Sequence, residues 1–557
     1  MSSTSTTEAP AATVVFVCNC DAWVRSACEG LEEYEGTGYC VLHYPSKEKI
    51  TAFNDALNKK FKSEDFNFSG VWFPNAVDFA RRTFTAPATF SYASFNATAN
   101  FDHATFSKRA FFDYAIFSAE ALFNSAIFSA KAYFSEVKFG AKAEFNNADF
   151  YMGADFLNTI FSGDAYFTDV FFSAEADPTA EKGSSFSASA YFSGATFGAK
   201  TDFTFTRFEG ADFNKARFNA EAFFSGAAFD AKADISAVAY FTSVMFSEKA
   251  YFKDTTFSAE AYFVSAAFNM GADFINTTFN MAANFRDVVF GASVDFSSTI
   301  FRERVNFQSA NFKDRIIFAG DDNRSVFSGR ASLDLQFPRI EKPDLVSFRS
   351  LSLRPHWLVN TDPRKFDFNV DWRWSSINEE IQGLKHKGIS QPNRLLAIAC
   401  RNLAVNAEEN HRYYEASKFR YMAMEAGRLE KWRGFAFLTL GWWYWLASGY
   451  SERAGRAFLV LLGILVLFAV LYLGLGFPNW ETKTTTEKAA VETQSKEPGT
   501  WSQLSSALTY SLGVMTLQKP EPRPATNAAQ SLVMLETILG PVQAALLALA
   551  IRRKFMR

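Results

Sequence analysis

The stretch Phe241-Thr-Ser-Val-Met-Phe246-Ser-Glu-Lys-Ala-Tyr-Phe252-Lys-Asp-Thr-Thr-Phe257-Ser-Ala-Glu-Ala-Tyr-Phe263 places Phe at steps of five, six, five and six residues. The same rhythm runs through most of the chain from Phe68 to Phe318, as in Phe90, Phe95, Phe101, Phe106 and Phe112, so the true period is eleven. Two positions before almost every Phe stands a small or β-branched residue, among them Ala88, Ala93, Ala99, Ala104, Val137, Thr159, Thr255 and Val288. Eleven residues are close to three helical turns, so the period alone admits a helix. Residues two apart share one face of a strand but not of a helix, and the pairing of small residue with Phe therefore selects the strand. Short extended pieces turned by Ser and Gly predict a solenoid in which each five- or six-residue segment makes one side of a coil. Four sides give 22 residues per coil, and coils stack at about 4.8 Å.

This pattern resembles the pentapeptide-repeat family, in the variant that carries Phe at the central inward position. The resemblance implies a mainly β fold, a right-handed quadrilateral β-helix with the Phe and the residue two before it pointing inward. Over residues 66–375 it implies about eleven coils and a rod about 50–55 Å long. Each buried Phe would contribute roughly 2–3 kcal/mol. The run 174–183, with Pro178 and Gly183, reads as a surface loop of about three extra residues before the ladder resumes at Phe186. A short step at Phe213 and a long one at Phe241, with Ile235 in place of a Phe, cancel in length.

Residues 1–47 hold Cys18, Cys20, Cys28, Cys40 and His43. The fifth Cys of the chain, Cys400, is remote, and Cys-x2-His closes this segment. Three thiolates and one imidazole make a closed tetrahedral site, so a structural Zn2+ is expected on Cys28, Cys40, His43 and one of Cys18 and Cys20. A short loop-rich segment needs such a staple. Met1 to Thr13 reads as a polar tail and not as a signal peptide. Residues 48–65 carry apolar residues at helical spacing and are expected to cap the first coil.

Beyond the ladder the repeat decays over 332–374, and 375–390 reads as a polar linker. Residues 391–432 form two helical faces that resemble a tetratricopeptide-like hairpin. Residues 433–452 carry Trp442, Trp443, Tyr444 and Trp445 and suit a membrane interface. Within 453–557, Ala457 to Phe477 is an uncharged run of 21 residues and Ser531 to Ile551 is a second apolar run. Arg453 and Arg456 precede the first and Arg552 and Arg553 follow the second. The positive-inside tendency then puts both termini in the cytoplasm of a multi-pass protein of the inner (plasma) membrane. A two-helix transmembrane region with a moderately apolar segment, 501–520, between its helices resembles the potassium-channel pore module. That resemblance implies a homo-oligomer, a tetramer, with Thr516 and Gln518 at the filter position and Glu536 near the pore. The Gly-Tyr-Gly of a potassium filter is missing, and Lys519 stands nearby.

Composition narrows the function. Net charge is −3 for the whole chain, and residues 68–330 hold 29 acidic against 22 basic residues. Neither a nucleic-acid partner nor mimicry of DNA, as some pentapeptide-repeat proteins practise, is expected. No nucleophile motif, paired carboxylates in a recognisable frame or phosphate-binding loop appears, so no enzyme activity and no catalytic residue are expected. The leading expectation is a cytoplasmic rod that binds or senses a partner protein and acts on an oligomeric, channel-like membrane module. The alternative is a non-conducting, membrane-tethered interaction scaffold.

Overall fold

The computed structural model describes residues 16–173, 189–230, 238–321, 326–328, 330–430, 439–475, 500–521, 523–524 and 526–555. The tail Met1–Thr13, the interruption 174–183, Phe186, Ile235, the start of the aromatic segment at 433–438 and the polar stretch 478–499 lie outside these residues. The chain divides into two compact units, residues 1–353 with 365–373, and residues 354–364 with 374–557.

In the first unit, residues 72–372 form a parallel β-solenoid of about 12 turns, one more than the length of the ladder suggests. Its four faces contain 12, 13, 10 and 11 strands. Most strands are two residues long, and a strand pairs with the one 22 positions on, as Trp72 with Ser94 and Ala99 with Ala121. Coil-to-coil hydrogen bonds such as Phe123 N–H to Glu144 O (2.7 Å) satisfy the backbone. Inside, most Phe lie flat on the Phe of the next coil. Phe101 and Phe123 are parallel at 4.7 Å, and Phe123 and Phe145 at 4.8 Å. Opposite columns meet edge to face, Phe134 on Phe145 at 5.6 Å and 90°. At the small inward position Thr255, Thr277 and Thr299 are buried, and each donates its hydroxyl to a Phe carbonyl at 2.6–2.7 Å.

The alternation of five and six follows from the corners. Tyr92, His103, Tyr114, Ser125, Glu136 and Asn147 all have φ between 54° and 61°. Each lies in a five-residue step, where the left-handed residue turns the chain sharply. Most six-residue steps turn without one and use an extra residue; Gly153 and Gly271 are the exceptions among the described residues. Two coils depart from the sequence reading. Ala154 pairs with Ala190, 36 positions on instead of 22, so this coil carries 14 extra residues and not three. Phe192 continues the described ladder, 4.8 Å from Phe156. The 21-residue coil from Ala190 to Ala211 is followed by one of 28 from Ala211 to Ala239. The short and long steps therefore do not cancel. Phe241 stacks on Phe213 at 5.0 Å in the place the reading gave to Ile235.

Both ends are covered. Helix α1 (Ile50–Lys62) sets Phe53 against Phe73 at 5.5 Å and Phe61 against Phe68 at 5.5 Å. At the far end Phe318, Phe348 and Phe368 continue one column at 5.1 and 5.5 Å, and Trp372 closes it.

In the second unit the expected polar linker is instead a helix, α2 (Ile377–His386). Ser376 caps it through the Glu379 N–H. Its Glu380 is buried because His356 supplies a partner, Nδ1 to Oε2 at 2.6 Å, and Ser375 donates to the same carboxylate. Helices α3 (Pro392–Glu409) and α4 (Tyr413–Glu430) form the expected hairpin around Leu396, Cys400, Met422 and Ala426. The aromatic helix α5 (Leu440–Ser448) precedes α6 (Ala454–Gly474), α7 (Thr500–Met515) and α8 (Asn527–Phe555). Helices α6 and α8 are long and apolar enough to cross a membrane, with mean hydropathy 2.8 and 1.8 over their most apolar windows.

Phe145→Ala is expected to cost about 3–5 kcal/mol, because two stacked rings cannot close the gap. Denaturant titration of the full chain followed by far-UV circular dichroism measures it. Lys138→Ala, on an outward position of the same region, should stay within about 0.5 kcal/mol.

Candidate functional site

Two clusters gather the residues that sequence reasoning singled out. The first lies against the start of the solenoid. A 3-10 turn, Ala22–Cys28, follows Cys20, and a hairpin bridge pairs Glu33 with Cys40. These turns bring the ligand atoms of Cys18, Cys20, Cys28 and His43 within 4.8 Å of one another. Cys40 joins the same cluster, its sulfur 3.3 Å from that of Cys28 and 3.1 Å from His43 Nδ1. The Cys40 backbone N–H donates to the Cys18 sulfur at 3.2 Å. Cys18, Cys20, Cys40 and His43 are buried.

The ring of His43 is oriented from behind. Its Nε2 lies 2.8 Å from the Ser69 carbonyl, which can only accept, so the proton is on Nε2 and the Nδ1 lone pair faces the sulfurs. Cys28 Sγ is 2.9 Å from that Nδ1. The thiols are electrostatically unequal. Burial raises Cys20 to about 11. Cys28 is pushed up by its hydrogen bond with Cys40 and by burial. Cys40 is pulled down to about 4, chiefly by the hydrogen bond with Cys28. Nearby, burial lowers the Lys49 amine to about 7, and this amine donates to the Leu42 carbonyl at 2.9 Å. Soft thiols, an imidazole with one free lone pair and a second-sphere carbonyl fit a tetrahedral divalent cation, so the cluster could hold a metal ion. Cys18 and Cys20 both stand in it, and the geometry does not set one of them aside.

The second cluster lies among α6, α7 and α8. Glu536 on α8 is fully buried. One carboxylate oxygen accepts from the Tyr472 hydroxyl on α6 and the other from the Ser511 hydroxyl on α7. Ser511 also reaches the Leu465 carbonyl at 3.1 Å. Phe468, Tyr510, Val514 and Ala529 close the cluster. Gly540 lets α7 approach, since a Cβ there would stand 2.9 Å from Met515 Cγ. Thr516 and Gln518 are not brought to Glu536. Both are exposed, and the Thr516 hydroxyl donates back to the carbonyls of Leu512 (2.9 Å) and Gly513 (3.1 Å).

Sequence reasoning found Glu536 but not its partners, which are ordinary hydroxyls within apolar helices. Part of the signal was there, because a lone carboxylate in such a segment requires donors: Tyr472 is the one hydroxyl of α6, whereas α7 offers seven and does not single out Ser511. It also missed Glu452, at the turn between α5 and α6. That carboxylate accepts from Ser417 Oγ (2.7 Å), Arg420 Nε (2.9 Å) and Arg553 Nη1 (3.2 Å). Gln543 on α8 is a further buried link, donating to the carbonyls of Ala447 (2.7 Å) and Ala457 (2.8 Å).

No curated protein matches the chain, and no solved structure does. No family match covers the two long apolar helices or the segment between them. Residues 123–170 and 241–288 match the family of pentapeptide repeats, in nine copies, so the solenoid is a pentapeptide-repeat β-helix.

Proposed function

We propose that this chain is a membrane-anchored pentapeptide-repeat protein. Its cytoplasmic β-helix binds or senses a partner protein and is coupled to an oligomeric, ion-channel-like module, a tetramer, made by α6, α7 and α8. Catalysis has no part in this reading. The observation that carries it is α7. At 16 residues it is about 24 Å long, too short to cross a hydrocarbon core of about 30 Å. It nevertheless packs between two helices that are long enough, and Glu536 joins all three through Tyr472 and Ser511. A short helix held between two spans is the arrangement that a re-entrant pore segment requires. Arg453 and Arg456 at the start of α6 and Arg552 and Arg553 near the end of α8 favour cytoplasmic termini at the plasma membrane.

The second reading, a non-conducting scaffold, is favoured by the segment after α7. Thr516 turns its hydroxyl to its own helix, and no Gly-Tyr-Gly follows it. Native mass spectrometry of the detergent-solubilised chain, with ion flux in liposomes, separates the two. A tetramer with flux is the expected result, and a monomer without flux removes the channel.

The buried carboxylate gives a second measurement. Glu536→Ala removes the acceptor that the Tyr472 and Ser511 hydroxyls share in an apolar surrounding and should destabilise the membrane module by about 1–3 kcal/mol. Glu536→Gln keeps an acceptor and should cost less. The temperature at which the solubilised protein loses its oligomer reads both.

The Cys/His cluster is assigned to structural Zn2+, with Cys28, His43 and two further thiolates as ligands. The metal would supply the folding free energy of the N-terminal segment and no chemistry. One zinc per chain is expected by elemental analysis. Cys28→Ser should lose it and expose α1 and the first coil to amide hydrogen exchange, while the middle coils keep their protection.

A further inference from the structure

A cavity of about 750 Å3 opens between α4 and the adjoining ends of α6 and α8. Its walls include Trp374, Tyr414 and Tyr421, and its cations are Lys418, Arg453 and Arg553. The volume is that of a site for a small organic ligand.

The charges in this cavity are unequally paired. Its two acidic residues are both engaged. Glu452 receives two guanidinium groups, from Arg420 and Arg553, and the Ser417 hydroxyl. Glu425 is taken by Arg428 at 2.6 Å and by the Tyr450 hydroxyl at 3.0 Å. Lys418 and Arg453 have no carboxylate within ion-pair distance among the described residues. Each rests on aromatic rings instead. The Lys418 ammonium is 4.5 Å from the Trp374 ring and 4.4 Å from that of Tyr414, and the Arg453 guanidinium is 4.3 Å from the Tyr421 ring. A ring face attracts a cation but accepts few of its N–H donors, and those donors remain open to an anion. Arg453 directly precedes α6, and the backbone N–H groups at the start of that helix add partial positive charge on the same side.

We propose that this cavity binds a phosphate-bearing molecule. Lys418 and Arg453 would hold the phosphate, and the flat or apolar remainder would lie on the aromatic wall. A phosphate suits two cations because its several oxygens can accept from both at once. Two sources supply that chemistry, the headgroup of an anionic lipid and a soluble phosphate ester such as a nucleotide. Only the lipid source rests on the membrane reading above.

Two arms distinguish the sources. In the first, ATP and inorganic phosphate are titrated into the full chain in a neutral detergent, with affinity read by calorimetry. No bilayer is involved, so its outcome is independent of whether α6 and α8 span one. In the second, the full chain is placed in phosphatidylcholine nanodiscs with and without phosphatidylglycerol, and the unfolding temperature and co-purifying lipid are measured. Binding in at least one arm is expected. Lys418→Gln and Arg453→Gln should each weaken it about tenfold, the loss of one charge-assisted hydrogen bond. The charge-retaining pair Lys418→Arg and Arg453→Lys should keep most of it. Arg453 is exposed, so its Gln variant serves even if the Lys418 variant fails to fold. Wild-type protein that answers to neither source overturns the proposal, as does equal binding by the Arg453→Gln variant. Lipid retained equally by wild type and variant shows annular lipid only and overturns it too.

Discussion

Parallel strands in a sheet lie about 4.7–4.9 Å apart, and a Phe ring stacked flat on another occupies nearly the same distance. In this solenoid the two spacings coincide, with rings at 4.7, 4.8 and 4.9 Å along one column from Phe101 to Phe167. A smaller side chain would leave a gap at every level, and a larger one would force the coils apart. A Phe at the inward position fits the backbone ladder, and most of the 64 Phe of the chain stand there. The same match forbids a slip of register, since a shift of one residue would turn every ring outward. Coils of other lengths keep the stacking. The coil with 14 extra residues still stacks Phe203 on Phe167 at 4.8 Å. The 28-residue coil likewise keeps Phe252 on Phe224 at 4.9 Å.

A column of rings has ends, and an uncovered end exposes both apolar rings and unpaired strand edges. The chain meets this in two ways. At the start, α1 lays two Phe on the first coil, and the Cys/His cluster sits behind it. The carbonyl of Ser69 in the first coil receives His43 Nε2–H, and the Leu42 carbonyl receives the Trp72 N–H at 3.0 Å. The donor set is thus joined to the ladder by hydrogen bonds as well as by sequence. At the other end longer strands replace the two-residue ones. Val346–Leu353 pairs with Asp367–Trp372, and the larger Trp372 ends the column.

The sequence displayed the ladder, the period and the cluster of potential ligands, because each depends on residue type at fixed spacing. Its silences have physical causes. The corners hold Tyr, His, Ser, Glu and Asn in a left-handed conformation, and Tyr, Ser and Glu do not favour it, so composition gave no consistent sign of them. Phe186 and Ile235 look like ladder positions by spacing, and only the described strand pairing and stacking put Phe192 on Phe156 and Phe241 on Phe213. Residues 375–390 looked like a linker because Glu379, Glu380, Lys385 and His386 are polar. Burial of Glu380 depends on His356, more than twenty positions earlier, and no local pattern carries that information. Five donors converge where four suffice, so the identity of the ligands is not fixed by counting them. Glu536 announced itself as a carboxylate in an apolar helix, but its partners come from two other helices.

Glu452 shows what this arrangement does mechanically within the second unit. One buried carboxylate holds a hydroxyl and a guanidinium from α4 and a guanidinium from the end of α8, and it stands two residues before α6 begins. The Arg553 guanidinium is also fixed on the Tyr450 carbonyl, and Tyr450 in turn donates to Glu425 on α4. A displacement of α4 therefore either carries the ends of α6 and α8 with it or breaks these bonds. Carrying them along costs less, because the rest of α6 and α8 is joined by other contacts, at Gln543 and at Glu536, that move with the helices. The hairpin is thus joined to the ends of the two long apolar helices by two acidic side chains, Glu452 shared between two arginines and Glu425 reached by Tyr450.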